Sequence, residues 1–430
     1  MGDSLPLLLA AACTLVAVGA LVAVVLRSRA RRRRFGGPPI LSPATSEAQR
    51  SRLLAAQFYL RSCARYRFER ALPNVSARDD RALCVVRADR AAAGGGGGGG
   101  LLRRVLCCGG GGAARFGGLR VSSCGGALDL HDRGTRAALR ALLEGVEHES
   151  VAPVRLVDFV TNNAASQSLV VVVRDWAPSG SLRDLIHGAP PEAVFAHKYG
   201  GAGRPLSEAR CALHGRQLLH ALMTLRPLGG WTAAHAHCGN LFVDGRGRLR
   251  YADWEGALLH DGAAPLAHFI RALRGTLDPA VAALAHALYE MGCGFEADAP
   301  RPSVYPPCCA RPLVRCLEAL FNPPPGTALP LTLDDAAALP FFARAAARAP
   351  PPPPLPRPDR AALALLRRLR PHLEAASGEG DGDGAALERA GGRNGTHAFD
   401  DDSPSRFETA LEIDDGRDRS WSLDRGPKVL

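Results

Sequence analysis

The stretch HAHCGNLFVDGRGRLRYADWE, residues 235–255, contains two polar residues whose spacing is informative. It contains Asn240 and, thirteen residues later, Asp253. Amide and carboxylate oxygens are side-chain ligands that hard cations such as Mg²⁺ accept. From the residues alone these two either bind a metal ion or only shape their loop through hydrogen bonds. The helix predicted at 207–225, which Ser207 can cap, leads into this stretch.

The periodicity of apolar residues along the rest of the chain predicts a β-rich small lobe with one helix, followed by a helical large lobe. The predicted fold class is therefore α+β. Strands are predicted at 83–87, 105–108, 154–159 and 169–173, and helices at 133–146, 180–186, 207–225, 279–291 and 312–320. Gly94–Gly100 formally satisfies G-x-G-x-x-G, but it lies between the strands predicted at 83–87 and 105–108. We interpret it as a flexible insertion and not as a phosphate cradle.

Composition limits the classes of function that the chain can have. The net charge is +11, but lysine occurs only at 198 and 428, so the arginine excess indicates compositional drift. Nucleic acid is therefore not a predicted partner. The 12 cysteines include no C-x-x-C pair with metal spacing, which favours reduced, packed thiols over a zinc site or a disulfide scaffold.

The N-terminal residues predict a membrane anchor. Residues 5–26 carry no charge and are long enough to span a bilayer, and an arginine-rich segment follows them. The positive-inside rule then predicts a single-pass protein with 1–4 outside and a basic juxtamembrane linker at 27–52 in the cytoplasm. The predicted location is the plasma membrane or a synapse. The alternative is a hydrophobic tail that does not insert.

The order of several segments resembles a protein kinase. LVVVVRDWAPSGSLRDL at 169–185 resembles the kinase hinge, 235–240 stands where the catalytic loop belongs, and Asp253-Trp254-Glu255 stands at the place of the DFG motif. LEALFNPPPGTALPLTLDDAAALPFF at 317–342 is similar to the end of a kinase large lobe. The resemblance implies a bilobal kinase-like domain over 53–345.

Phosphoryl transfer in kinases needs a strand lysine, a helix glutamate, a base aspartate and a glycine-rich loop. Neither lysine lies in the predicted small lobe, and Arg103 or Arg104 near the predicted strand would not reproduce the point charge of lysine. The position of the helix glutamate falls on Leu139, and Glu144 comes too late.

His235 stands at the position of the catalytic aspartate, and an imidazole is a poor kinase base. The stretch ALPNVSARDD at 71–80, which should cover the phosphates, has no glycine. Glu255 replaces the glycine of the DFG motif. We therefore predict a pseudokinase without catalytic residues, in which no cofactor is required.

QFYLRS at 57–62 and the H-x-H-x-G/S-N pattern at 235–240 are similar to the slowpoke-binding protein family and its PX-domain-containing kinase-like relative. The resemblance implies a scaffold that binds a calcium-activated potassium channel of the slowpoke type, with 14-3-3 as a second partner. Two alternatives stay open. One is a residual ATP and metal binder or weak kinase that uses Asn240 and Asp253, and the other is a membrane-trafficking adaptor.

The tail, 346–430, is predicted to be Pro-rich and then disordered. Arg348, Pro351 and Pro354 fit an SH3-ligand pattern, with a stiff spacer as the alternative. Ser420 and Ser422 each follow an arginine at the spacing that 14-3-3 recognises once the serine is phosphorylated, although such motifs arise by chance in an arginine-rich tail.

Overall fold

The computed structural model describes residues 46–72, 81–89, 116–124, 127–162, 167–201, 203–259, 264–323, 330–346, 358–377 and 411–414. Several predictions fall outside these ranges: the strand at 105–108 with Arg103 and Arg104, the glycine run, the SH3-ligand pattern (Arg348, Pro351, Pro354), and Ser420 and Ser422.

The N-terminal half forms one antiparallel sheet. The strands in chain order are β1 (Tyr66–Leu72), β2 (Arg81–Ala88), β3 (Phe116–Ser123), β4 (Val154–Asn162), β5 (Gln167–Asp175), β6 (Leu241–Val243), β7 (Leu249–Tyr251) and β8 (Leu411–Asp414). Within the described residues the sheet order is β1–β2–β3–β5–β4–β8, while β6 and β7 form a separate hairpin in the helical half. The strands predicted at 83–87, 154–159 and 169–173 are thus confirmed as β2, β4 and β5.

The helical half follows the sheet, and two further helices cover the sheet itself. The helices in chain order are α1 (Glu47–Ser62), α2 (Arg133–Glu144), α3 (Leu182–His187), α4 (Phe195–Lys198), α5 (Glu208–Leu225), α6 (Gly256–Leu259), α7 (Ala267–Ala272), α8 (Pro279–Cys293), α9 (Arg311–Phe321), α10 (Leu333–Ala337), α11 (Pro340–Ala346) and α12 (Arg360–Ser377). Short 3₁₀ turns lie at Arg226–Leu228, Gly230–Ala233 and Cys238–Asn240.

The strand β5 is buried on both faces because a helix packs on each side of the sheet. Side chains alternate across a strand, and Val170 and Val172 belong to the core that includes α2. Val171 and Val173 belong to a second core, which includes α1 residues such as Leu53. A strand buried on both faces has no polar face, which is why its sequence reads as a continuous apolar run.

The helix α8 forms the centre of the helical half. All residues from Ala280 to Cys293 are buried, which is expected of a helix that is apolar all round. Asp278 caps its N-terminus by accepting from Ala280 N at 2.8 Å. Helices α5 and α9 pack against it. Ser207 lies at the N-cap of α5, but its side chain forms no capping bond to any residue that the structure describes.

Two helices lie where the sequence predicted irregular chain. Helix α1 begins at Glu47, inside the predicted linker 27–52. Helix α12, like strand β8, lies inside the segment 346–430 that was predicted to be disordered, and that prediction is corrected for 360–377 and 411–414. Its apolar side chains are buried because it packs against α2, the Gly230–Ala233 turn and α6. Arg368 Nη2 also donates to Thr135 Oγ1 of α2 at 2.9 Å.

The predicted membrane location is not supported. Among the residues that the structure describes, none of the helices combines the length and the apolar character needed to cross a bilayer. This finding contradicts the predicted single-pass membrane localisation, which is therefore corrected. The apolar stretch at 5–26, from which the prediction was made, lies outside the described residues.

An antiparallel sheet carrying α2, followed by a helical half built around α8, fits the predicted α+β, bilobal kinase-like fold. The boundary between the two halves runs past the end of β5 and the segment that follows β7. The residues singled out by their sequence spacing, Asn240 and Asp253, lie on the helical side of this boundary, in the turn before β6 and the segment after β7.

Candidate functional site

Asp253 lies at the boundary between the sheet and the helical half, two residues after β7 ends. Its φ is 59°, in the left-handed region that non-glycine residues seldom adopt. Its carboxylate forms ion pairs with two arginines of the sheet: Arg120 of β3, and Arg81 of β2 at 3.1 Å from Nη1 to Oδ2. The carboxylate at the metal-ligand position is therefore held by the protein's own guanidinium groups.

Arg120 occupies the middle of β3, the strand on which kinases carry the lysine that orients the phosphates. The residues predicted for this position lie near 105–108, but the described strand lies further on, at Phe116–Ser123. Arg120 was missed because FGGLRVSS contains two glycines and no long apolar run. The available signal was its short alternation, with Leu119 and Val121 packed against α1.

Glu255 is the second acid of the cluster, and its side chain is 0% exposed. Its Oε1 lies 2.8 Å from Arg120 Nη2 and also pairs with Arg174 at the end of β5. Burial alone would raise the pKa of this carboxyl, but the Arg174 and Arg120 guanidiniums lower it to about 2. Glu255 is thus a buried carboxylate that is charged at neutral pH.

The arginine of β3 therefore has a different acidic partner from the one that kinases use. Leu139, at the predicted position of the helix glutamate, is buried in the core. Glu144, at the end of α2, accepts from Val157 N at 2.9 Å. The carboxylate that pairs with Arg120 comes from Glu255, so the ion pair joins the sheet to the segment after β7 and does not involve α2.

Five charged side chains make up this cluster, which we call the arginine cluster: Arg81, Arg120, Arg174, Asp253 and Glu255. All are largely shielded from solvent, with Arg120 only 5% exposed. Burial and the two neighbouring arginines lower the pKa of Arg120 to about 9, while Glu255 opposes that shift. Within the part of the chain that the structure describes, this cluster joins three guanidiniums to two carboxylates.

His235, at the position of the catalytic base, does not face solvent, since only 2% of it is exposed. Its ring packs against Gly256, where an added Cβ would lie 2.7 Å from the ring. Asn240 Nδ2 donates to the backbone oxygen of His235 at 3.0 Å, and Asn240 O accepts from Ala252 N at 2.9 Å. These contacts give Asn240 a loop-shaping role.

Trp254, the middle residue of the degenerate DFG motif, is fully buried. Its ring lies 6.2 Å from that of Trp231, centroid to centroid, in the 3₁₀ turn that precedes the catalytic-loop position. The aromatic pair anchors the segment that places Asp253 on one side and Glu255 on the other. The geometry of the arginine cluster thus depends on this packing.

Lys198 does not substitute for the missing strand lysine. It lies in α4, in the helical half, where its Nζ is 3.0 Å from Asp184 Oδ1 and donates to Pro191 O at 2.8 Å. Asp184 also forms the capping box of α3 with Ser181. The prediction that this lysine lies outside the small lobe is confirmed. Lys428 lies outside the described residues.

A magnesium–ATP complex does not fit these residues. The Asp253 carboxylate pairs with Arg81 and Arg120, and the Asn240 amide bonds to the backbone of its own loop. A metal ion at this place would have to displace two buried guanidiniums, leaving Arg120 with Glu255 as its remaining acid.

Comparison with known proteins finds relatives with kinase-like names. The chain is 33% identical over 221 residues to the "Probable inactive serine/threonine-protein kinase slob2" of Dictyostelium discoideum, covering 50% of this chain and 37% of that protein. It is 28% identical over 203 residues to the "Slowpoke-binding protein" of Drosophila melanogaster, covering 44% and 39%. It is a homologue of kinase-like proteins. The "PX domain-containing protein kinase-like protein" of Mus musculus is 30% identical over 167 residues, covering 38% and 28%.

These relatives confirm the resemblance at moderate identity over about half the chain. They are named as inactive or kinase-like, consistent with a pseudokinase that is not an active enzyme. The chain spans less than two fifths of the length of each. No protein-family model matches the chain.

Proposed function

We propose that this kinase-like domain is a catalytically inactive scaffold that works without nucleotide. The observation that carries the proposal is the pairing of Asp253 with Arg81 and Arg120. In an active kinase the corresponding aspartate binds the metal ion that bridges the phosphates. Here the same carboxylate forms ion pairs with two buried arginines, and removing one partner of a buried ion pair is strongly destabilising.

The arginine cluster also supports a rigid scaffold. Its arginines come from three strands, β2, β3 and β5, and its two acids come from the segment after β7. The cluster therefore ties the sheet to the helical half with charge-assisted hydrogen bonds. Kinases move these two halves during their catalytic cycle, and a scaffold instead gains from presenting one fixed surface.

The first test is a thermal-shift titration of the full chain with ATP, with and without Mg²⁺ or Mn²⁺. We expect no change in Tm up to millimolar nucleotide, because binding to the folded state would otherwise raise it. An active kinase measured beside it serves as the positive control. A metal-dependent rise in Tm that disappears in Asp253→Asn would contradict the proposal and favour the residual nucleotide binder.

We further propose that the partner is the cytoplasmic part of a calcium-activated potassium channel of the slowpoke type. The support is the printed name of the Drosophila melanogaster relative, the "Slowpoke-binding protein". The full chain is expected to bind a purified cytoplasmic region of such a channel, and added ATP with Mg²⁺ should leave the Kd unchanged. The matched control is the cytoplasmic region of a potassium channel of another class. Equal binding to both regions, or to neither, would refute this partner.

A further inference from the structure

The outermost strand of the sheet comes from the C-terminal tail. Strand β8, Leu411–Asp414, pairs antiparallel with β4 over 159–162. Among the strands that the structure describes, β8 stands at the end of the sheet order, so it covers the outer edge of β4. Phe159 and Val160 of that edge are apolar and buried. An apolar edge strand left open is a template for pairing with another chain, so this edge needs an occupant.

The hydrogen bonds between α2 and β4 show which backbone groups of β4 face this edge. Val157 N donates to Glu144 Oε1 at 2.9 Å, and Val157 O accepts from Arg140 Nε at 3.1 Å. Both backbone groups of Val157 are thus directed away from β5. The pairing of β4 with β5 is regular from Val157 onward, and alternate residues of a strand direct their backbone groups to the same side. Phe159 and Thr161 therefore direct theirs toward β8.

The register transfers this direction to β8. Glu412 lies opposite Thr161, and Ile413 lies opposite Val160. In an antiparallel pair, opposite residues alternate between those that exchange hydrogen bonds and those that do not. The backbone N–H of Glu412 therefore points at β4, and that of Ile413 points away from it.

The length of the site is set by hydrogen bonds at its other end. The N–H of Val157 is already bonded to Glu144, and Phe159 N donates to Asp158 Oδ1 at 2.9 Å. A strand added to β4 thus finds its partners at Phe159 O and at the backbone of Thr161. The site takes a strand of four residues, which is the length of β8.

We propose that the outer edge of β4, over 159–162, is a docking site for an extended segment of a partner protein, and that Leu411–Asp414 occupies this site in cis. Recognition is through the backbone, so the partner segment has no proline at the places of Glu412 and Asp414. Its side chains alternate between apolar and acidic, as in the Leu-Glu-Ile-Asp of β8. The site contains no residue of the arginine cluster, so it does not depend on the proposals about nucleotide or the channel.

The strand β8 is suited to be displaced by such a segment. It has four residues, so few backbone hydrogen bonds hold it to β4. Residues 378–410 connect it to α12, and a tethered ligand competes at an effective concentration that falls as its connection lengthens. A partner segment that binds more tightly, or that is present at a higher concentration, takes its place. The edge is thus covered in the isolated chain and open to a partner.

The first test measures amide hydrogen exchange in β4 of the full chain, with residue resolution. Glu412→Pro removes the N–H that points at β4, so the Thr161 amide should exchange at least about tenfold faster as its protection is lost. Ile413→Pro is the matched control, because proline is tolerated at an edge where the N–H points away from the ladder. The Val157 amide, which Glu144 holds, should not change in either variant.

The second test adds the labelled peptide TALEIDD, residues 409–415, in trans. Fluorescence anisotropy should show that Glu412→Pro binds it about tenfold more tightly than the wild type does, because apparent affinity scales with the fraction of molecules whose edge is open. The bound peptide should restore slow exchange at Thr161. A peptide with proline at the place of Glu412 should not bind.

Three results would overturn the proposal. Equal exchange of the Thr161 amide in the wild type, Glu412→Pro and Ile413→Pro would show that β8 does not occupy the edge. Equal binding of the two peptides, or of TALEIDD to the wild type and Glu412→Pro, would show that the peptide binds elsewhere. Wild-type dimers that dissociate in Glu412→Pro would assign the edge to a second copy of the chain instead of to cis pairing.

Discussion

Glu255→Gln is expected to lower the free energy of unfolding by about 3–5 kcal/mol, because it leaves buried arginines without their acidic partner. Glutamine keeps the shape of the side chain but removes the charge that Arg120 and Arg174 share. Asp253 would then be the remaining acid beside three guanidiniums. Chemical denaturation of the full-length variant, monitored by tryptophan fluorescence, measures the loss.

The control for Glu255→Gln is Asp334→Asn. Asp334 pairs with Arg226 at 2.8 Å, but both side chains are more than half exposed. An exposed pair contributes less than about 1 kcal/mol, so this variant should unfold almost as the wild type does. Adding Arg174→Gln to Glu255→Gln removes the excess positive charge and should recover part of the loss. Equal effects of Glu255→Gln and Asp334→Asn would show that the arginine cluster does not hold the two halves together.

Acid should weaken the wild type more than it weakens Glu255→Gln. The pKa of Glu255 is lowered from 4.5 to about 2 in the folded state. A lowered folded-state pKa gives stability that is present above pH 4.5 and is lost as the pH falls toward 2. The difference in unfolding free energy between the two proteins should therefore shrink over that range.

Leu365→Asp is expected to release α12 from the domain and to lower the free energy of unfolding by about 3 kcal/mol. Leu365 is buried where α12 packs against its neighbours, so a carboxylate at this position would lie in an apolar core. Because α12 packs against α2, hydrogen exchange should accelerate in α2 as well as in α12. Denaturation and hydrogen-exchange mass spectrometry measure the two effects.

The matched control is Arg367→Asp, which makes the same acidic residue on the exposed face of the same helix. A surface substitution of this kind usually changes stability by less than roughly 0.5 kcal/mol. Helix α2 should keep its protection from exchange in this variant. If Leu365→Asp also leaves hydrogen exchange in α2 unchanged, then α12 does not stabilise the sheet half.

The sequence predicted more of the fold than of the candidate site. The apolar run of β5 and the periodicity of α2, α8 and α9 predicted these elements close to their observed bounds, because a face that must be buried repeats at a fixed period. The same reasoning did not predict α12. Its apolar residues follow a proline run, and they are buried only because the helix packs against other elements such as α2.

The sequence by itself determined which chemistry is missing. It placed no lysine in the sheet half, a histidine at 235 and a glutamate at 255, and these are local facts that need no contacts. Only the tertiary structure decided what replaced that chemistry. Arg81 and Arg120 lie 172 and 133 positions before Asp253 along the chain, and they meet it because the start of β2 and the middle of β3 lie beside the segment after β7. A buried charge selects its partner by distance in space, and sequence periodicity does not encode that distance.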